Sequence, residues 1–223
     1  MVSDIDREAA AVVAAEIGGT AVPADVTVEA DIVDLVRTTV KAHGRIDIYC
    51  SNAGIAVGGG PEASDAAWQQ SWDVHVMAHV YAARALLPGM LARGEGYLVG
   101  TISAAALLNH VLAAPYAVTK AAGLSFFEWM AIAYHDQGIR VSVVCPQGVR
   151  TAMLAQEGQS NFLARGALDP EQVAEAVVDG IHDERFLILP HPDVGEFFQR
   201  KASDYDRWLR GMRRLRGRIL EER

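Results

Sequence analysis

Tyr116 and Lys120 stand four residues apart in a segment with helical patterning, so their side chains share one face and can address one ligand. A nearby ammonium favours the phenolate and draws a tyrosine down from its usual pKa of about 10 toward neutrality, as a general acid or base requires. Ser103, at the end of an expected strand thirteen residues before Tyr116, is placed to hydrogen-bond a substrate oxygen. A Tyr-x-x-x-Lys spacing is also common as an exposed helical pair, so the elements around it decide its meaning.

Those elements alternate short β-branched runs with longer helical patterns, the signature of a parallel sheet with crossover helices. Asp6 is an N-cap for a helix over Arg7–Ile17 with Ala10, Val13 and Ile17 on its apolar face, and Thr20–Val26 reads as a strand. Thr27 is expected to cap a second helix that stops at Gly44, and Ile46–Cys50 to follow as a buried strand. A long helix from Asp65 to Arg93 leads to the strand Tyr97–Ile102, and another from Tyr116 to Gln137 to the strand Arg140–Cys145. Asp169-Pro170 supplies N-cap and N1 chemistry for a helix ending at Gly180, before the strand Arg185–Leu189. Five or six strands are expected in one domain over 1–223.

The 223 residues are 51% hydrophobic and 22% charged, enough apolar material for a substantial core. Polar residues interrupt the most apolar stretch, Ile102–Tyr134, so no membrane span is expected. Two cysteines, Cys50 and Cys145, and a first segment unlike a secretory signal point to a reduced, cytoplasmic protein. Both cysteines are expected to be buried. A formal charge of -8 argues against nucleic acid as a partner, although Arg200–Arg223 gathers nine of the twenty Lys and Arg against four acids. The histidines lack metal-ligand spacing, and neither a Gly-x-Ser-x-Gly elbow nor a phosphate-binding P-loop is present, so metal, hydrolase and nucleotide-triphosphatase readings fall away.

With Ser103 and Tyr116-Ala117-Val118-Thr119-Lys120 in place, the whole chain resembles the classical short-chain dehydrogenase/reductase family. Asn52-Ala53-Gly54 resembles that family's Asn-Ala-Gly motif beside the adenine ribose, and Asp25-Val26 the pair at the adenine. Pro146-Gln147-Gly148-Val149-Arg150-Thr151 resembles its Pro-Gly motif, whose counterparts of Val149 and Thr151 hold the nicotinamide carboxamide. The resemblance implies a Rossmann-like, doubly wound α/β fold that binds NAD and moves a hydride between it and a secondary alcohol or ketone. It implies that Tyr116 is the acid/base, that Lys120 holds the nicotinamide ribose and that Ser103 orients the substrate oxygen. Asp4 falls where the family places the acid that bonds the adenosine ribose, which would favour NAD over NADP.

The sequence departs from the family twice. The Thr-Gly-x-x-x-Gly-x-Gly turn, with its preceding strand and following helix, belongs just before Asp4, and the chain starts at Met1. Gly54–Gly60 copies the glycine spacing but follows the wrong strand and reads as a decoy loop. Two unpaired buried strand edges, or two strands forced together, are then expected. The expectation is a natural protein that starts further upstream; the alternative is a catalytically silent scaffold that binds cofactor poorly. The second departure is His75, where the family usually has an asparagine that holds a helix distortion and links the lysine to a water chain; histidine can both donate and accept.

Residues 152–168 resemble the family's substrate lid, in which Met153, Leu154, Phe162 and Leu163, with Leu107, Leu108 and Val111, suggest a hydrophobic substrate; His110 is within reach of it. In the basic helical segment 196–223, Trp208, Met212, Leu215 and Ile219 form an apolar stripe expected to pack on its own subunit or a neighbour, with an anionic partner as the alternative. The resemblance also implies a homodimer or homotetramer, with Ala82, Ala83, Ala85, Ala121 and Ala122 allowing close approach of the long helices.

Overall fold

The computed structural model describes residues 1–156 and 163–221. Its helices α1 (Arg7–Glu16) and α2 (Glu29–His43) precede strand β1 (Ile48–Ser51). Helices α3 (Asp65–Trp72) and α4 (Ala78–Arg93) lead to β2 (Gly96–Thr101), then α5 (Ala104–Leu108) and α6 (Ala114–Tyr134) to β3 (Ile139–Val144). After α7 (Ala152–Gln156) come α8 (Pro170–His182), β4 (Leu187–Ile188), α9 (Asp193–Ser203) and α10 (Tyr205–Glu221). The sheet is parallel throughout, in the order β1-β2-β3-β4, and Tyr49 pairs with Leu98 and Leu98 with Val141. This is the expected α/β class, with crossover helices between parallel strands.

Local chemistry accounts for the helix ends. The Asp6 carboxylate accepts from the amides of Glu8 and Ala9, and Asp169 and Gln172 form a capping box at the start of α8. The Asp169 carboxylate is also paired with Arg150 at 2.6 Å. Helix α2 starts one residue after Val28 without a side-chain cap, because the Thr27 hydroxyl donates to the Asp25 carboxylate instead. The long helix expected over Asp65–Arg93 is interrupted by one π-helical turn, Asp73–Met77.

The core lies where α4 and α6 pack on β2 and β3. Met90, Leu98, Phe127, Met130, Ile139 and Val143 are all buried there. Ala82 and Ala83 belong to this core, so they are not free to meet another subunit as expected. On α6 the exposed apolar residues are instead Val118, Trp129 and Ile132.

The front of the chain is where expectation and structure differ most. Thr20–Val26 makes no full strand: Val2 and Ala21 form a lone parallel bridge, with Val2 donating to the Thr20 carbonyl and Val22 to that of Val2. Among the described residues no strand pairs with the outer edge of β1 or joins this bridge to the sheet. The two free edges were expected to be buried. Instead Ser3, Asp4, Asp47, Ile48 and Cys50 are exposed. Cys50 is therefore not the buried apolar residue expected, whereas Cys145 is fully buried. Helix α1 likewise buries Ala10 and Ala14 and leaves Val13 and Ile17 exposed.

Gly138 turns the chain into β3 at φ +83°, and a Cβ there would run into the Gly94 carbonyl at the end of α4. Gly18 has a similar φ but open space around it. Gly138→Ala is expected to destabilise the fold by about 3 kcal/mol, left-handed strain plus overpacking, against about 1 kcal/mol for Gly18→Ala. Urea unfolding of both variants measures this; equal losses would contradict the close approach.

Candidate functional site

The C-terminal ends of the parallel strands carry the loops that form the site, as open α/β sheets favour. Beyond β1 comes Asn52-Ala53-Gly54, beyond β2 Ser103, and beyond β3 the segment Pro146–Thr151. The loops are laced together. Thr101 donates its hydroxyl to the Asn52 side-chain carbonyl at 2.9 Å, and the Ala104 amide donates to the Pro146 carbonyl at 2.8 Å.

Lys120 is buried near the start of α6, and its ammonium donates to the Thr101 carbonyl at 2.9 Å. Burial lowers its pKa to about 8. The Nζ lies 5.9 Å from the centre of the Tyr116 ring. Gly54 faces the same ammonium: a Cβ there would stand 3.4 Å from Nζ and 3.7 Å from His75 Nε2. A side chain at Gly54 would therefore press on both the ammonium and the imidazole.

Tyr116 stands among aromatic rings. His75 meets it edge-on at 5.5 Å between centroids, and His110 does so from another side at 6.4 Å. Ser103 caps α5, its Oγ accepting from the Ala105 amide at 3.1 Å. The accepted bond leaves the serine's own proton for another oxygen.

His75 sits inside the π-helical turn, fully buried. Its Nε2 accepts from the Ile55 amide at 3.1 Å, so Nδ1 carries the proton and donates to the Thr119 hydroxyl at 2.9 Å. Thr119 in turn donates to the Pro115 carbonyl at 2.7 Å. Burial is the largest cause lowering the imidazole pKa to about 3, with Lys120 adding repulsion. Both nitrogens are spent on holding the Ile55 loop and the first turn of α6. Sequence reasoning missed Thr101 and Thr119, and also His79, another buried ring with a pKa near 3, which bonds the Ser51 hydroxyl at 2.7 Å. Thr101 holds Lys120 through its backbone carbonyl and Asn52 through its hydroxyl, and Thr119 points inward from α6, so neither stands out in the sequence.

The remaining candidates divide. Pro146 and Gly148 are buried beside the site, with Gly148 against the Leu163 carbonyl. The Thr151 hydroxyl donates to the Val149 carbonyl at 3.2 Å, so this pair is turned on itself. Asp25 holds a turn, one carboxylate oxygen accepting from the Thr27 amide and hydroxyl, while Val26 packs toward the core. One Asp4 oxygen accepts from the Asp6 amide, and the Asp4 carbonyl accepts from Ala24. The structure thus draws Gly54, His75, Tyr116 and Lys120 together and keeps Asp4 and Asp25 engaged in the separate first segment. Within Gly54–Gly60, the Gly59 amide donates to the Leu112 carbonyl and the Gly60 amide to the Glu62 carboxylate. Of the lid residues, Met153 and Leu154 are half-buried, and Phe162 lies outside the described residues.

Two buried neutral imidazoles make the fold acid-sensitive. Folded pKa values near 3, against about 6.5 unfolded, mean that only the unfolded chain takes up these protons as pH falls through that window. Stability is full above pH 6.5 and is lost below it, by about 1.4 kcal/mol per ring at pH 5.5. The urea midpoint is expected to drop between pH 7.5 and 5.5, and less steeply in His79→Asn. A midpoint flat over that range would show that the rings are not buried neutral.

A sequence model of the short chain dehydrogenases matches residues 1–161. The chain is 33% identical over 202 residues to a 2-keto-3-deoxy-L-fuconate dehydrogenase of Xanthomonas campestris pv. campestris, a match covering 82% of this chain and 65% of that protein. It is 35% identical over 192 residues to a protein of Xanthobacter autotrophicus named inactive 2-(S)-hydroxypropyl-CoM dehydrogenase 2, covering 78% and 84%. A crystal structure of a short chain dehydrogenase/reductase from Burkholderia phymatum in complex with NAD superposes with a TM-score of 0.79 at 26% identity, over 92% of this chain and 84% of that one. With a family match over most of its length and relatives at this level of identity, the chain belongs to the short-chain dehydrogenase/reductase family.

Proposed function

We propose that this chain is an NAD-dependent dehydrogenase or reductase that interconverts a hydrophobic secondary alcohol and its ketone, with Tyr116 as acid/base. The observation that carries the reading is the buried Lys120 ammonium, fixed by the Thr101 carbonyl beside the Tyr116 ring. Removed from water, its charge acts strongly on the neighbouring phenol and favours the phenolate. In the oxidation direction Tyr116 takes the proton of the substrate alcohol, and in reduction it returns one to the ketone oxygen. Ser103 donates its free proton to that same oxygen and fixes its position. When bound, NAD(H) supplies or accepts the hydride. His75 and Thr119 hold the turn of α6 that aims Tyr116, as positioning residues.

The nicotinamide ribose end of such a cofactor would meet Gly54 and the uncommitted donors of Lys120. Asn52 and Ala53 would line its approach, and Pro146, Gly148, Val149 and Thr151 would meet the nicotinamide once the Thr151 hydroxyl leaves the Val149 carbonyl. Asp4, Asp25 and Val26 would serve the adenosine end, where a carboxylate at Asp4 disfavours a 2'-phosphate. The Gly59 and Gly60 amides are already bonded to the Leu112 carbonyl and the Glu62 carboxylate, so they are not offered to a pyrophosphate. A silent scaffold is the second reading, in line with the relative that is named inactive. Met153, Leu154 and Leu163 would stand on the substrate side, and the face with Val118, Trp129 and Ile132 would pair subunits.

Titration of the folded chain with NADH, read by nicotinamide fluorescence, separates the two readings: saturable binding is expected, and its absence in a folded sample would leave the scaffold. Tyr116→Phe is expected to lower kcat by at least about 100-fold while NAD affinity stays within about threefold. Turnover like that of the parent chain in this variant would remove Tyr116 from the mechanism.

A further inference from the structure

A cavity of about 460 Å³ opens between the segment Leu108–Val111 and the helices α9 and α10. That volume suits a small-molecule ligand. Leu108, Val111, Trp208 and Met212 give it apolar walls. Lys201, Arg210, Arg213 and Arg216 stand around it against a single lining acid, Asp206, in a chain whose net charge is -8.

These cations have different duties. Lys201 donates to the Leu107 carbonyl at 2.6 Å and Arg216 to the Val111 carbonyl at 3.1 Å, which pins the two helices to the segment after Ser103. Arg210 and Arg213 are exposed, lie three apart on one face of α10, and form no ion pair among the described residues. The cavity neighbours the candidate site at His110, which lines it and whose ring stands 6.4 Å from that of Tyr116. A membrane surface is a poor match, because the apolar stripe of α10 faces inward: Ile219 is buried and Trp208 packs against Phe197 at 6.3 Å.

We propose that this cavity binds an amphipathic carboxylate and that the substrate is of this class. Its apolar body lies along Trp208 and Met212, its acid end meets Arg210 and Arg213, and its alcohol or ketone carbon reaches Tyr116 past His110. The placement at Tyr116 rests on the dehydrogenase reading; the carboxylate site does not. Guanidinium groups give a carboxylate paired hydrogen bonds with charge, which a neutral alcohol of equal length cannot use.

Calorimetric titration with octanoate and with 1-octanol tests this on the chain as it stands. Octanoate is expected to bind about tenfold more tightly than octanol, and the double variant Arg210→Gln/Arg213→Gln to remove that difference while octanol affinity and circular dichroism stay unchanged. Equal affinities in the parent chain, no octanoate binding, or octanoate affinity unchanged in the variant would overturn the carboxylate site. Octanoate that binds in an arginine-dependent way without competing with ketone reduction would overturn its assignment to substrate. The same binding in a chain that turns over no alcohol or ketone would keep the site and overturn the dehydrogenase reading.

Discussion

A lysine ammonium buried in the interior is costly unless something accepts its protons, and much of this molecule is arranged around that requirement. The acceptor is the carbonyl of Thr101, the last residue of β2, whose position follows from the pairing of β2 with both β1 and β3. The nearest surfaces are a glycine without a side chain and a histidine whose burial keeps it neutral. A side chain at Gly54 would occupy the space over the ammonium, and a charged imidazole at His75 would repel it. The same cation stands 5.9 Å from the centre of the Tyr116 ring, so the requirement that shapes the packing also sets what surrounds the phenol.

This arrangement was legible in the sequence to the extent that it rests on side-chain spacing. Tyr116 and Lys120 share a helix face by periodicity, and Ser103 follows from the strand before it. The π-helical turn at Asp73–Met77 was not legible from helical periodicity, because one extra residue per turn costs little in composition. Thr101 acts through its backbone carbonyl, which any residue would supply. The tautomer of His75 depends on the Ile55 amide, twenty positions away in sequence. Strand length was overestimated wherever pairing is lost: Thr20–Val26 has β-branched residues and only one bridge to hold them.

The first segment is bound to the rest through fewer ties than the sheet is to its helices. Helix α2 packs on α4, and Glu29 pairs with Arg84 at 3.0 Å, both groups largely exposed. An exposed pair of this kind contributes at most about 1 kcal/mol. Without a ladder between Val2–Asp4 and β1, the position of Asp4 and Asp25 relative to Gly54 depends on α2. The geometry at Tyr116 and Lys120 is held independently, by β1 to β3 and α6. Loss of order in the first segment would therefore shift Asp4 and Asp25 well before it disturbed Tyr116 and Lys120.

The C-terminal helices resolve an ambiguity in the sequence, where one stretch carries both an apolar stripe and a run of arginines. Packing uses the stripe: Met212 and Leu215 are half-buried and Ile219 almost completely. Burying that face fixes the rotation of α10, and the rotation decides which arginines meet the segment after Ser103. Arg216 reaches the Val111 carbonyl because it stands four residues beyond Met212, one helical turn along the same side. Arg213, three before Arg216, follows it along that side to the cavity wall. The apolar stripe thus determines which cations stand at the cavity that His110 also lines: Arg210, Arg213 and Arg216 do, while Arg207, Arg214 and Arg218 lie outside its wall.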